Sequence, residues 1–226
     1  MDHLIQFSEE FVNGLDTKTG DTALTAAAKS GQVDTIKCLF QWRVSNTRKN
    51  KKGETPLCCA VQNGHYEASK LLLDYGAHIN DRNYDGRTPL IISAIEGHFG
   101  LMELLTAQGA KLCLADSGGL TALSWACLLG KRHAVQYLID QGADINHADH
   151  CGRSPLDLAA HHGSAIVVRL LMERGALIEH VDLSGMRPLD RAISASNAEA
   201  VECFLQKGAK LGPATWTLSA SKPRIM

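Results

Sequence analysis

The sequence predicts an all-α fold, a solenoid of stacked helix-turn-helix units that are joined by hairpins. A short signature recurs six times at an unbroken 33-residue interval. The residue four positions after each lead glycine is always Leu, and the residue eleven positions after it is Gly in five of the six copies. A fixed period of this length indicates stacked structural units, not one closed core. The lead glycines are Gly20, Gly53, Gly86, Gly119, Gly152 and Gly185.

The unit that starts at residue 53 shows how each element follows from local sequence. Thr55-Pro56 predicts a helix start, because Thr is a good N-cap and Pro suits the first helical position. This first helix is expected to end near Gly64, and a second helix to open at His65. The pair Gly76-Ala77 ends the second helix, and a polar hairpin over residues 83–86 leads to the next unit.

These motifs resemble the ankyrin repeat over roughly residues 17–212. The Thr-Pro-Leu start, the turns Gly64-His65 and Gly97-His98, and the ending Gly142-Ala143-Asp144-Ile145-Asn146 all match it. The histidine that usually follows the leucine is absent, which affects one hydrogen bond typical of the family and not the fold. The residues in its place are Thr25, Cys58, Ile91, Ser124, Asp157 and Asp190.

The chain divides into three predicted segments. Residues 1–16 are interpreted as the tail of a preceding partial repeat or an N-terminal cap, residues 17–212 as six ankyrin repeats, and residues 213–226 as a C-terminal capping helix with the start of a linker. Residues 211–216 and 221–226 resemble the segment that joins ankyrin repeats to tetratricopeptide repeats in the Tanc family of postsynaptic scaffolds. That resemblance implies a cytoplasmic scaffold at the postsynaptic density and dendritic spines.

Bulk composition narrows the classes of function. The net charge of -1 gives no global field that favours nucleic acid, so no nucleic-acid partner is expected. Seven cysteines without framework spacing indicate reduced thiols in the cytosol. No apolar run approaches the roughly 18 residues of a membrane span, and no signal peptide is expected. We expect a monomeric fragment of a larger protein.

A concave groove is the binding surface that the family resemblance implies. It is lined by the hairpin tips and by the exposed side of the first helices, at positions one, nine and ten after each lead glycine and the two before it. We expect Ile95, Leu120, Leu128 and Leu129 to form one exposed aliphatic patch that binds a partner protein. Alternatively, neighbouring side chains such as Trp125 already cover these leucines. The predicted partner-binding residues are Tyr84, Arg87, Ile95, Glu96, Leu120, Trp125, Leu128, Leu129, Arg153, His161 and His162.

The first hairpin carries a basic run. Arg48, Lys49, Lys51 and Lys52 could recognise an acidic peptide, a phosphate or an anionic lipid head group. The alternative is a solvated, flexible loop. No aromatic residues are interleaved with these cations, as nucleic-acid stacking would require.

Two further groups of residues invite chemical interpretations. A histidine and cysteine cluster suggests zinc, but it lacks a Cys-x-x-Cys pair, and adjacent His161 and His162 are expected to point in different directions, so no metal or cofactor is predicted. Asn80 and Asn146 occupy a slot that family resemblance links to asparaginyl hydroxylation, each with Leu eight residues before it. The alternative is a hairpin-stabilising asparagine. The zinc candidates are His147, His150, Cys151, His161 and His162.

The sequence therefore favours a protein-interaction module and not an enzyme. No nucleophile-base arrangement is present, and no phosphate-binding glycine loop continues into Gly-Lys-Ser/Thr. Two alternatives stay open: a structural spacer that packs on flanking domains of the same chain, or weak binding of anionic lipid or phosphate through the basic hairpin.

Overall fold

The structure, a computed structural model, describes residues 14–162 and 164–211. The described residues contain twelve α-helices in six helix-turn-helix repeats, which confirms the predicted all-α repeat fold. The predicted N-terminal remnant up to residue 13, Gly163 and the predicted cap from residue 213 lie outside the described residues. The helices are α1 (Ala23–Lys29), α2 (Val33–Gln41), α3 (Pro56–Gln62), α4 (Tyr66–Asp74), α5 (Pro89–Glu96), α6 (Phe99–Ala107), α7 (Ala122–Leu128), α8 (Arg132–Asp140), α9 (Pro155–His162), α10 (Ala165–Glu173), α11 (Pro188–Ser194) and α12 (Ala198–Gln206).

The chain forms two compact units, and each is described separately. Unit 1 ends at Ser117 and contains α1–α6, while unit 2 begins at Gly118 and contains α7–α12. Within each unit the first helices of successive repeats lie against one another, and each also contacts the second helix of its own repeat. The second helices form an outer layer. Each unit is thus two helical layers with the hairpins at one edge.

The leucine of the repeat signature forms the core between these layers. Its exposed fraction is 1% or less in all six repeats. Full burial of one such side chain stabilises the fold by roughly 1.5–3 kcal/mol. These residues are Leu24, Leu57, Leu90, Leu123, Leu156 and Leu189.

Threonine caps begin four of the six first helices, α1, α3, α5 and α7, as the sequence predicts. Thr55 Oγ1 accepts a hydrogen bond from the Cys58 N–H at 3.3 Å, and Pro56 occupies the first helical turn. The position that usually carries histidine still contributes polar contacts in some repeats. Ser154 Oγ donates to the buried Asp157 carboxylate at 2.7 Å, so a different side chain restores a hydrogen bond there.

The hairpins are joined by a ladder of backbone hydrogen bonds. The residue two positions before a lead glycine donates its N–H to the preceding hairpin, as Tyr84 does to the Lys52 carbonyl at 3.1 Å. Gly53 has a φ of +76°, and a Cβ there would lie 2.6 Å from the Tyr84 nitrogen. Glycine is required at this position because both the left-handed backbone and the close approach exclude a side chain.

Two repeats adopt the left-handed conformation without glycine. Among the described residues, Arg43 and Ser196 are the non-glycine positions with positive φ, at 55° and 56°. Arg43 stands where the other repeats carry the glycine that ends the second helix. Ser196 stands where the other repeats carry the glycine between their two helices. Left-handed backbone costs roughly 1–2 kcal/mol for a residue with a Cβ, so both positions are strained.

Candidate protein-interaction surfaces

Four predicted partner-binding residues of unit 1 surround a single cleft. We call it the groove cleft, and it has a volume of about 320 Å³. It opens on the face formed by the hairpins and the first helices, which we call the groove face. The residues that matter for its chemistry are Lys52, Gln62, Tyr84, Arg87, Ile95 and Glu96. Lys52 belongs to the basic run, so the structure places two predicted features at one site.

An exposed aromatic ring and two isoleucines line the groove cleft. The Tyr84 side chain is 71% exposed, although its backbone is tied to the preceding hairpin and its ring lies directly over Gly53. Ile92 is buried and Ile95 is half-buried beside it. Aromatic side chains have few rotatable bonds, and they are common anchors at protein interfaces.

Two opposite charges line the groove cleft without internal partners. Within the described residues, the side chains of Lys52 and Glu96 form neither ion pairs nor hydrogen bonds. Glu54, by contrast, is buried and accepts a hydrogen bond from Asn50 Nδ2 at 2.9 Å. Arg87 Nη1 lies 3.7 Å from Asp85. The cleft can therefore offer one cation and one anion to a ligand.

The prediction that the position after each lead glycine is exposed is wrong. Glu54 is 5% exposed and Leu120 is 9% exposed, and the other four residues at this position are half-buried. In the first repeat, Asp21 shows the cause, because its carboxylate accepts hydrogen bonds from Lys29 Nζ at 2.6 Å and from Asn50 Nδ2 at 3.0 Å. The side chain at this position turns towards neighbouring residues instead of solvent.

The aliphatic patch of unit 2 is consequently smaller than predicted. Leu120 is buried, Trp125 and Leu128 are half-buried, and Leu129 is 43% exposed at the end of α7. The alternative of covered leucines thus holds for Leu120, whereas Leu129 stays accessible. Ile95 belongs to unit 1 and contributes to the groove cleft.

The cations on the groove face of unit 2 are paired with buried aspartates. Arg153 Nε and Nη2 both donate to Asp149 Oδ2 at 2.7 Å, and the Arg191 guanidinium donates to Asp182. Burial opposes the ionisation of Asp182, but hydrogen bonds, including those from Ser184 and Arg191, outweigh it and keep its pKa below the usual range. The predicted partner-binding Arg153 is therefore already neutralised within the protein.

His161 and His162 lie closer together than predicted. Both are exposed, and their ring centroids are 4.9 Å apart with the planes nearly perpendicular, so the expectation that they point in different directions is wrong. Partial burial, followed by the positive charges of His162, Arg191 and Arg153, lowers the pKa of His161. Within residues 14–162 and 164–211, no group of three His, Cys, Asp or Glu side chains is arranged to hold a metal ion.

Two lysines of the basic run link neighbouring hairpins. Lys49 Nζ donates to the Arg82 carbonyl at 2.8 Å, and Lys51 Nζ donates to the Thr17 carbonyl at 2.7 Å. Arg48 and Lys52 are exposed. Sequence reasoning missed this linking role because it depends on how adjacent hairpins align.

Both candidate hydroxylation residues also link adjacent hairpins. Asn80 Oδ1 accepts a hydrogen bond from the Lys111 N–H, and Asn146 Oδ1 accepts one from the Leu177 N–H, each at 3.0 Å. Both asparagines are half-buried. The structure thus gives them a stabilising role, and their hydroxylation stays a prediction.

Buried cysteines are poor candidates for nucleophiles. Burial raises the pKa of the Cys58, Cys59 and Cys127 thiols, with the negative charge of Glu54 adding to the shift at Cys59. These thiols therefore stay protonated near neutral pH, and the thiolate is the reactive form.

The paired helices and the hydrogen-bonded hairpins define a helical repeat protein. Comparison with known families identifies the kind of repeat. A model of the family described as ankyrin repeats (3 copies) matches residues 1–83, 79–149 and 146–214. The chain belongs to the ankyrin-repeat family. Ankyrin repeats are generally protein-interaction modules, and proteins built from them are typically non-enzymatic.

None of the curated proteins matches the chain. Of the described helices, none has the length and apolar character that crossing a membrane requires.

Proposed function

We propose that the chain is the protein-interaction module of a cytoplasmic, postsynaptic scaffold and that the groove cleft of unit 1 binds a segment of a partner protein. The observation that carries this proposal is the exposed ring of Tyr84, which lies over Gly53 and lines the same cleft as Ile95. Concave sites that combine an apolar surface with a few polar groups are the usual form of binding sites in proteins.

The chemistry of the groove cleft indicates what such a segment must carry. An apolar side chain would rest on Ile95 and against Tyr84, while Lys52 and Glu96 would pair with an acidic and a basic residue beside it. Burial of about 80 Å² of apolar surface, counted over both partners, would contribute about 2 kcal/mol before the cost of ordering. The two charges add specificity more than affinity.

Proximity labelling with the full-length protein tests the groove cleft. We expect Tyr84→Ala/Glu96→Lys to lose partners that the wild type labels, because both side chains are exposed and their replacement leaves the core intact. The matched control is His150→Ala/His162→Lys, which changes exposed residues at the same two repeat positions in unit 2. Loss of the same partners in the control, with none lost in the unit 1 variant, would refute this site.

The postsynaptic location is proposed on the resemblance of residues 211–216 and 221–226 to the Tanc family. Imaging of the full-length, endogenously tagged protein in neurons tests it. We expect enrichment in dendritic spines relative to the dendritic shaft. An even distribution between spine and shaft would refute the location without bearing on the groove cleft.

A further inference from the structure

A second cleft lies in the outer layer of unit 2, between α10 and α12. We call it the outer cleft, and its volume is about 470 Å³. Each helix contributes the second, fifth, sixth and ninth residues of its length, which lie on one helical face. Ile166 and Leu170 of α10 form the apolar part, and Glu199, Glu202 and Cys203 of α12 form the opposite wall. Both walls are therefore straight helical ridges with a groove between them.

Departures from the repeat pattern create this groove. Cys203 is the sixth residue of its helix, where four of the other repeats carry Leu71, Leu104, Tyr137 and Leu170. The smaller thiol leaves space that those side chains would fill. Ile166 is the second residue of its helix, is 59% exposed, and stands where the other repeats carry Asp34, Glu67, Gly100, His133 and Glu199. An exposed aliphatic residue thus replaces a polar residue or glycine beside the space.

The outer cleft carries one more negative than positive side chain. It is lined by three carboxylates, those of Glu173, Glu199 and Glu202, against the two guanidiniums of Arg132 and Arg169. Arg169 Nη2 donates to Cys203 Sγ at 3.6 Å, which holds that cation against the wall. In the part of the chain that the structure describes, none of the three carboxylates belongs to an ion pair within 4.0 Å. The cleft therefore presents acidic groups that a partner can neutralise.

We propose that the outer cleft binds a basic amphipathic helix of a partner protein. Its apolar stripe would pack on Ile166 and Leu170, and its Lys or Arg residues would pair with Glu199 and Glu202. A groove between two nine-residue helices is about 13 Å long, which accommodates more than two turns of a third helix. Helix-in-groove binding uses this arrangement of apolar anchors and flanking charges. The outer cleft is independent of the groove cleft.

A peptide-display selection on the intact chain tests this proposal. The probe is a library of helical peptides with randomised surface residues, selected on the wild type and counter-selected on Ile166→Lys/Cys203→Leu. Leucine occupies the Cys203 position in three other repeats, so it fills the cleft with a side chain that the fold already accepts. We expect the enriched peptides to carry an aliphatic stripe flanked by Lys or Arg.

Matched charge reversals then identify the acidic wall. Glu199→Lys/Glu202→Lys should weaken binding of the selected peptides at least about tenfold. Glu67→Lys/Glu103→Lys makes the same charge change at the same helix positions in unit 1 and should leave the affinity unchanged. Enrichment of acidic or non-helical peptides, equal weakening by both pairs, or a wild-type dimer that Cys203→Leu abolishes would overturn the proposal. Circular dichroism of each variant verifies its helix content.

Discussion

Units 1 and 2 share one repeat skeleton but leave different faces available for binding. On the groove face of unit 1, Tyr84 is exposed and Lys52 and Glu96 have no internal partner among the described residues. On the groove face of unit 2, Arg153 and Arg191 are paired with buried aspartates. The cleft with unpaired carboxylates in unit 2 lies instead between its outer helices. Repeats fix the scaffold, and the positions outside the signature decide which face can bind.

Substitution of equivalent glycines should destabilise the two units by the same amount, because both units share the repeat skeleton. Gly53→Ala and Gly152→Ala should each lower the free energy of unfolding by about 3 kcal/mol, because left-handed backbone and overpacking both oppose a methyl group. The added Cβ would lie 2.6 Å from the Tyr84 nitrogen in unit 1 and 2.8 Å from the Leu183 nitrogen in unit 2. Chemical denaturation measures both variants.

The controls are the glycines that end the second helices. Gly76→Ala and Gly175→Ala place a methyl group where nothing lies within 4 Å, so only the left-handed backbone costs energy, about 1 kcal/mol. If these control variants lose as much stability as the variants at Gly53 and Gly152, then the close approach of neighbouring hairpins is not what requires glycine.

Replacing the strained non-glycine residues with glycine should stabilise the two units by similar amounts. Arg43→Gly in unit 1 and Ser196→Gly in unit 2 should each raise the free energy of unfolding by about 1 kcal/mol, because both residues adopt positive φ. Thermal unfolding of each variant, compared with Ser30→Gly at a position of negative φ, measures the effect. A loss of stability in either variant would contradict the strained conformation.

The pH dependence of stability should have opposite signs at two aspartates. Burial raises the pKa of Asp157 in unit 2, so its contribution to stability falls as pH rises from about 4 through its folded pKa. Burial opposes the ionisation of Asp21 in unit 1, yet hydrogen bonds from Lys29 and Asn50 lower its pKa. The stability that Asp21 provides is therefore present above about pH 4 and lost as pH falls through its folded pKa.

Asparagine variants of Asp157 and Asp21 separate these two pH dependences of stability. Relative to the wild type, Asp157→Asn should gain stability as pH rises above about 4, whereas the stability deficit of Asp21→Asn should grow as pH rises towards about 4 from below and stay constant above it. Hydrogen exchange of α9 and α1 peptides between pH 3 and 7 measures each unit by itself. Parallel slopes for the two variants would refute the contrast.

The smallest expected effect concerns the basic run. Lys49→Ala and Lys51→Ala should each lower the free energy of unfolding by about 0.5–1 kcal/mol, because each removes one hydrogen bond to a neighbouring hairpin. Arg48→Ala, at an exposed position, is the control. Sedimentation with anionic liposomes tests the lipid alternative, which requires strong binding by the wild type and its loss in the lysine variants.

The sequence predicted the skeleton because its positions obey local rules. A threonine cap followed by proline starts a helix, glycine adopts left-handed backbone, and the invariant leucine must be buried. Thr55, Gly64 and Leu57 illustrate the three rules, and the structure confirms each of them. Arg43 and Ser196 stood out in the sequence as departures from the glycine pattern, and both carry strain.

The surfaces were predicted less well because exposure depends on contacts between repeats. Leu120 was expected to be exposed since a leucine after the lead glycine has no role in the signature, yet it is buried. Nothing local in the sequence indicates that Arg153 pairs with Asp149 or that Lys49 reaches the Arg82 carbonyl. The sequence analysis did not predict the outer cleft. Cys203 is recognised as a small residue only when the sixth residues of all the second helices are compared.

Whether the two units bind through different faces is tested most directly by the dissociation constants of display-selected peptides for two variants of the intact chain. Tyr84→Ala/Glu96→Lys alters the groove cleft, and Ile166→Lys/Cys203→Leu alters the outer cleft. We expect two classes of peptide, each bound at least about tenfold more weakly by one variant and equally well by the other. A single class that is weakened equally by both variants, or by neither, would contradict the claim that the two units bind through different faces.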